Sequence, residues 1–532
     1  MKKSNLEINS KSRIENSVRN IYFSIIAYGI QLILAFIVQR YFIYYFNEEY
    51  LGLNSLFTNI LSILSLAEMG FGSAVLFSMY KPMADGDDEK VRGLLQLYKK
   101  FYFIIAFVVA GLGLLVIPFM DYFAKKAPNI SINLYIIYII YLSNSVVSYF
   151  CAHRRVLFLA SQRNDIESKI NILSNIFLYV AQLLVIIFTK NYYIYLLLKL
   201  CSTLLNIIFV CAITNSKYGK YLKKPQNKLD KETKKTIEKN VLALIFHKIG
   251  SVVVYSTDSL VIYLVIDAAT LGRYSNYLLI TASVTSLIGL ISNAIRGSIG
   301  NSIAMKSPEE NYKLMTKINF IYMWIVSFCT ICIFCLANPF IDIILNKGLE
   351  TDLTFDFTIL VLICLYFFFL QAKGLVGMFK ECVGLFYQDR YKSIFEAFIN
   401  LTVSIILANI IGIAGVIIGT IVSTISTCIW VEPYVLNKNY YHKSTVKYLI
   451  QLMFRLVVTL IAGVATYYIC SLIPSVGLIN LILKAIVCVV MSNILLLMGY
   501  FWTCEFKLCF KWGKEIIKNK KNKGSVTYET KW

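Results

Sequence analysis

Fourteen apolar stretches, each long enough to cross a bilayer as a helix, alternate with short polar gaps along the chain. They fall at 20–41, 51–77, 101–120, 132–150, 168–189, 191–213, 241–264, 274–298, 317–338, 355–378, 393–411, 413–434, 449–471 and 477–502. The runs are continuously apolar rather than alternating, which sets aside a membrane β-barrel. The pattern predicts an all-α polytopic membrane protein with about fourteen transmembrane helices, each satisfying its own backbone groups in lipid.

Charge placement then orients the chain. Of 532 residues, 58% are hydrophobic and 15% charged, too little charge to cover a soluble fold of this size. The net charge of +22 could suit nucleic acid, but its distribution suits a membrane. With the N-terminus in the cytoplasm, about 41 of the 52 Lys and Arg fall on the cytoplasmic side, about 6 outside and about 5 within spans. The expectation is a multi-pass protein of the bacterial cytoplasmic (inner) membrane with both termini cytoplasmic. Anionic lipids are expected partners and nucleic acid is not. Thirteen Cys residues lie mostly within spans. The run Cys329, Cys332 and Cys335 resembles a cluster ligand set but reads better as small packing residues in an apolar helix. No GxxxxGK[ST], HExxH or GxSxG site occurs; no catalytic residue, metal or cofactor is expected.

The halves look related. Leu51-Gly52 and Leu271-Gly272 are 220 residues apart, and Ser55/Ser275 and Ala74/Ala294 keep that register. Similar turns follow, Lys81-Pro82 with Asp85 and Lys306 with Pro308 and Glu309; "LFLASQRNDIESK" precedes span five and "LFYQDRYKS" span eleven. Six spans per repeat give both copies the same orientation, related by an axis along the membrane normal. The expected organisation is an N-terminal six-helix lobe (1–213), a Lys-rich cytoplasmic linker (214–240) and a C-terminal six-helix lobe (241–436). Two additional spans (437–502) and a basic cytoplasmic tail (503–532) follow. Gly415 and Gly419 form a GxxxG, the spacing of a close helix crossing.

Ionisable residues inside spans cost about 2.5–3.5 kcal/mol each at mid-bilayer, so they are expected to face protein or water. They are Glu68, Lys199, Lys248, Asp258, Arg296, Glu396, Arg455 and Lys484. Lys248, Asp258 and Glu68 are the deepest. Asp258 lies about 15 Å beyond Lys248 on the same helix. Arg296 and Arg40 are near span ends, where snorkelling competes with a cavity role. Glu396 is one turn from Lys392 and is expected to pair with it. Outside the spans, Arg154, Arg155, Arg163 and Arg390 form inner-mouth basic candidates. The positive-inside bias accounts for them, and they would also suit a diphosphate.

Three stretches carry a resemblance: "EYLGLNSLFTNILSILSLAEMGFGSAVLFSMYKPMADGD", "STDSLVIYLVIDAATLGRYSNYLLI" and "GLFYQDRYKSIFEAFINLTVSIILANIIGIAGVIIGTIVST". They resemble the bacterial polysaccharide-biosynthesis flippases, the Wzx-type O-antigen and capsule repeat-unit translocases of the MATE-like multidrug/oligosaccharidyl-lipid/polysaccharide exporter superfamily. The resemblance spans about residues 15–436. It implies a two-lobed MATE-like fold, a cationic lumen mapping loosely onto Arg40, Lys248 and Arg296, and a polyprenyl-diphosphate-linked oligosaccharide as substrate. A glycan polymerase and other polysaccharide assembly proteins would be its partners. Glu68 and Asp258 are the candidates for ion coupling. The expected function is translocation of lipid-linked repeat units from the inner to the outer leaflet by alternating access, without enzymatic chemistry. A MATE-type cation-coupled exporter of small molecules is the alternative, with the same acidic pair in its favour. A membrane polysaccharide polymerase would need a larger outer loop than the chain provides.

Overall fold

The computed structural model describes residues 28–526, apart from 69–70, 127–131, 162, 227–228, 230–255, 347, 350, 386–387 and 475–476. These residues are overwhelmingly helical, with no β-strand among them. Eleven helices among the described residues are long and apolar enough to cross a membrane, or twelve with one bent pair counted as a span. Residues 241–255 of the expected span at 241–264 and about half of the linker lie outside the described residues, so the count of fourteen is neither reached nor excluded. The chain divides by packing into two units, Met1–Gly272 and Arg273–Trp532.

In the first unit, α1 (Tyr28–Phe46) and α2 (Glu48–Leu64) are separated by Asn47 alone. Asn47 adopts a left-handed backbone (φ 71°) that Asn tolerates, and its side chain caps α2 by accepting from the Glu49 and Tyr50 amides at 3.0 and 3.4 Å. The second apolar run, continuous in sequence, is broken. After α2 comes a 3₁₀ turn over Ser65–Glu68, then α3 (Phe71–Asp85). Hydropathy measures apolar content and passes smoothly over such a break. The run 101–120 belongs to a longer helix, α4 (Asp88–Leu114), capped by Asp87 and followed by the one-turn α5 (Met120–Ala124). Next, α6 (Leu134–Phe150) and α7 (Ala152–Ala160) meet at a 47° bend. The antiparallel pair α8 (Asn164–Phe188) and α9 (Tyr192–Tyr218) follows, with Asn191 capping α9. A short apolar helix, α10 (Ser256–Ile266), leads into α11 (Ala268–Met305), which from Arg273 onward belongs to the second unit.

Aromatic rings lock α1, α2 and α9 together. Phe42 lies 5.0 Å from Tyr195, and Tyr50 packs edge-on to Tyr192 at 4.9 Å. Just beyond the end of α9, Lys220 pairs with Asp88 at the start of α4 at 2.8 Å while Arg92 donates to the Lys220 carbonyl. The Asp88 hydrogen bond raises the Lys220 pKa above its usual value.

In the second unit, α12 (Pro308–Phe340) is the central helix. It packs against α13 (Phe357–Val383), α17 (Thr445–Ser471) and α18 (Gly477–Tyr500). Its start is a complete capping box, Ser307 with Glu310, with Pro308 at the first helical position. At 38 and 33 residues, α11 and α12 would measure about 57 and 50 Å, well beyond a ~30 Å hydrocarbon core. The runs 274–298 and 317–338 are their apolar middles. The hairpin of α14 (Lys392–Ile411) and α15 (Ile413–Ser426) turns at Gly412, whose φ of 62° suits glycine. Here the GxxxG acts as a packing motif: a methyl on Gly415 would strike the Leu407 carbonyl and one on Gly419 the Ser404 side chain. The short α16 (Cys428–Leu436) continues from α15. On α17 and α18, Ile450, Ile461, Ile479, Ile482 and Ile486 are exposed, giving these helices the apolar outer surface a lipid-facing helix needs. Cys332 and Cys488 approach to 3.8 Å between their sulfurs, in a packed contact of α12 with α18.

The closing helix is α19 (Cys504–Val526). Its Glu505 pairs with the buried Arg455 of α17 at 3.3 Å, and that guanidinium also sits 5.9 Å from the Phe320 ring. Arg455, expected to face protein or water, is thus partnered by a carboxylate and a ring within the second unit.

Candidate functional site

The first unit gathers polar side chains along its helix contacts. Glu68, at the 3₁₀ break, accepts a short hydrogen bond from the Tyr102 hydroxyl, which lies 3.3 Å from that of Tyr98. Asp258 is buried in α10, beside Ser259, whose hydroxyl accepts from Asn59 at 3.1 Å. Farther along α2, the Asn54 side-chain oxygen accepts from the hydroxyls of Tyr141 and Tyr192 at 2.6 and 2.5 Å. Lys199 stands 4.9 Å over the Tyr141 ring. Arg40, near the end of α1, is half-buried. Lys248 lies outside the described residues.

Two of the arginines expected at an inner mouth are held by α9. Arg154 donates to Asn215 at 2.7 Å and to Thr214 at 3.2 Å. Arg155 donates to Asn206 at 2.7 Å and lies 3.6 Å from Glu167. Asn206 in turn donates to Asn171 and Ser174. Arg163 is more exposed and grips Asp165 at 2.8 Å, a bond that raises its already high pKa.

In the second unit, Arg296 near the end of α11 pairs with Glu381 at 2.6 Å. Both side chains remain nearly half exposed, at 48% and 45%. A network at the α13–α14–α16 junction is far more buried. Lys380 pairs with Asp389, which also lies 3.6 Å from Lys392, and Lys392 pairs with Glu432. A turn or two along, Lys373 pairs with Glu396 at 2.8 Å, and the Cys428 thiol donates to Glu396 at 3.1 Å. The expected Glu396–Lys392 pair therefore does not form. Lys392 is taken by Glu432 and Asp389, and Glu396 turns to α13. Arg390, next to this network, places its guanidinium 4.5 Å from the Tyr391 ring.

Within each unit the structure thus brings Glu68 to Tyr102, Arg155 to Glu167 and Arg296 to Glu381. Sequence reasoning passed over Lys373 and Glu432, although both fall within runs read as spans. A complete scan of the spans for ionisable residues finds them. Lys380 and Lys392 fall in the polar gap between the runs 355–378 and 393–411, where local sequence gives no sign of burial. They are nearly inaccessible ion partners, which only tertiary packing reveals.

Several solved membrane proteins share this fold. The solved lipid II flippase MurJ, in its inward closed conformation, superposes with a TM-score of 0.62 at 14% identity, over 90% of this chain and 99% of its own. An inward-facing multidrug resistance MATE family transporter of the MOP superfamily gives 0.56 at 14% identity, over 77% and 96%. The Vibrio cholerae MATE transporter VcmN in its bent form gives 0.51 at 14% identity, over 81% and 98%. At such identities the likeness establishes the fold: an all-α, multi-pass membrane fold of the MurJ and MATE type. No curated protein sequence matches the chain. A family model, however, matches residues 17–296, more than half of the chain. By that match the chain belongs to the family described as polysaccharide biosynthesis protein.

Proposed function

We propose that the protein flips polyprenyl-diphosphate-linked oligosaccharide repeat units from the inner to the outer leaflet of the bacterial cytoplasmic membrane, as a transporter rather than an enzyme. The observation that carries this reading is the family match over residues 17–296 in a chain with the fold of a lipid II flippase. The positive-inside charge pattern supports the inner membrane and cytoplasmic termini.

In this reading Arg296, Lys248 and Arg40 attract the diphosphate, and Arg154, Arg155, Arg163 and Arg390 concentrate it at the inner mouth. Guanidinium and ammonium groups are the natural partners of phosphate oxygens. The inside-negative potential assists export, since each negative charge moved outward gains about 2.3 kcal/mol per 100 mV. Glu68 and Asp258 take the coupling cation or proton. A glycan polymerase and other assembly proteins would receive the product.

A second reading, cation-coupled export of small molecules, is favoured by the MATE fold and by the buried carboxylate of Asp258. One experiment separates the two. Proteoliposomes are loaded with a fluorescent polyprenyl-diphosphate oligosaccharide, and external dithionite reports its distribution between leaflets; parallel vesicles carry ethidium. Protein-dependent flipping without dye movement is the expected result. Flipping no faster than in protein-free vesicles would discard the lipid-linked substrate, and dye transport would install the second reading.

A further inference from the structure

The elbow between α18 and α19 carries a feature that translocation does not explain. Trp502, in the turn before α19, and Phe510, on α19, are 66% and 56% exposed, although α19 is otherwise anchored to the protein. With Met498 and Phe506 they wall an open slot of about 910 Å³ whose surface is almost wholly apolar. Lys507, Lys511 and Lys514 edge the same slot. Their spacing of four and three residues places the three ammonium groups along one stripe of α19. The opposite stripe of α19 is occupied. Glu505 pairs with Arg455, the Cys509 thiol donates to the Lys317 carbonyl, and the Lys317 ammonium lies 5.6 Å from the Trp512 ring. Phe506 stacks near Trp324 on one side and on Phe510 on the other, at 6.3 and 6.1 Å between centroids. The slot is therefore held in shape by α12 and α17.

An apolar slot edged by a row of lysines matches a molecule with acyl chains and an anionic headgroup. Trp at the end of a span and Lys just beyond it is the arrangement that meets a headgroup layer. We infer that this elbow is a binding site for an anionic phospholipid of the cytoplasmic leaflet. Its acyl chain lies against Met498, Trp502, Phe506 and Phe510, and its phosphate is held by Lys507, Lys511 and Lys514. The inference rests on the inside-positive orientation and not on the translocated substrate, so a failed flipping assay leaves it standing.

The test uses the full-length protein in nanodiscs doped with photoactivatable phosphatidylglycerol or phosphatidylcholine, with crosslinked peptides mapped by mass spectrometry. Phosphatidylglycerol should label the segment 497–514 strongly and phosphatidylcholine weakly. In the triple variant K507Q/K511Q/K514Q, competition by unlabelled phosphatidylglycerol should weaken roughly 10- to 100-fold, as expected for losing three lysines facing an anionic headgroup. Met498→Trp, which fills the slot while keeping every charge, should reduce labelling by both lipids. Size-exclusion profiles confirm that each variant is folded. Equal labelling by the two lipids, or unchanged labelling in the triple variant, would overturn the assignment. So would displacement of the phospholipid by equimolar polyprenyl diphosphate, which would make the slot a seat for the substrate's tail instead.

Discussion

Gly52 and Gly272 make reciprocal contacts within the first unit. A methyl group on Gly52 would fall on the Ala268 carbonyl, and one on Gly272 would fall on the Glu48 carbonyl. Ala268 stands 220 residues after Glu48, and Gly272 stands 220 after Gly52. The starts of α2 and α11 therefore meet with the same four-residue offset seen from either side. The obstacle is backbone in both cases, so it cannot rotate away. Gly52→Ala and Gly272→Ala are each expected to destabilise by about 1–3 kcal/mol, the usual cost of overpacking. Because both substitutions wedge apart one crossing, the double variant should cost less than the sum. Thermal melting of the purified protein in detergent, followed by size exclusion, checks both. Additive losses would mean two independent contacts.

That crossing shows how far the sequence could be read. The Leu-Gly pairs and the offset of 220 are visible in the letters, but that the two glycines touch each other's repeat neighbours is not, since repeat similarity carries no distance. The GxxxG of Gly415 and Gly419 was legible for the opposite reason. Its meaning is local, and its partner helix α14 is next in the chain. Hydropathy located most of the spans seen among the described residues but ran through the break at Ser65–Glu68 and stopped short of the ends of α11 and α12, because it measures what lipid would accept rather than where the backbone bends. The site was least legible where charges pair across helices. Local spacing favoured Lys392 for Glu396, while packing supplied Lys373.

Asp352, between α12 and α13, gives a pH signature. Burial alone would raise its pKa, but hydrogen bonds from the Thr354 amide and hydroxyl and from Asn346, with the charge of Arg273, hold it below the usual carboxylate value. A depressed carboxylate contributes stability that is fully present above its unfolded pKa of about 3.9 and is lost as pH falls through the folded value. Asp352→Asn should therefore lower the melting temperature slightly at pH 7, with the difference from the parent closing below about pH 4. A difference that persists unchanged at pH 3 would show that the carboxylate's charge is not what the loop uses.

Arg296 and Glu381 should separate function from stability. Their pair is nearly half exposed, and exposed ion pairs contribute about 0–1 kcal/mol, so neither Arg296→Ala nor Glu381→Gln should move the melting temperature much. In flipping assays the two should diverge. Arg296→Ala removes a cation proposed to meet the diphosphate and should raise the substrate concentration needed for half-maximal rate. Glu381→Gln releases Arg296 from a competing anion and should lower it. Movement of both variants in the same direction would mean that the pair acts as a structural latch.

The buried ions of the second unit should behave in the opposite way. Lys380 and Asp389 are 4% and 0% accessible, and Lys373 and Glu396 are 17% and 5%. Removing one member of such a pair leaves a charge stranded without water, which typically costs about 3–5 kcal/mol, whereas replacing both by apolar groups of similar volume is often near neutral. Lys373→Met alone is expected to reduce the yield of folded protein sharply, and Glu396→Leu alone likewise. The double variant K373M/E396L should recover most of the loss, because Lys392 and Glu432 already satisfy each other nearby. Lys380→Met should not be rescued so simply by Asp389→Leu, since Asp389 also faces Lys392 at 3.6 Å and its removal takes charge from that lysine as well. A double-mutant cycle on expression level and melting temperature reads both pairs. Equal rescue in the two cycles would show that Asp389 serves Lys380 alone, and that the network is two separate pairs rather than a linked set.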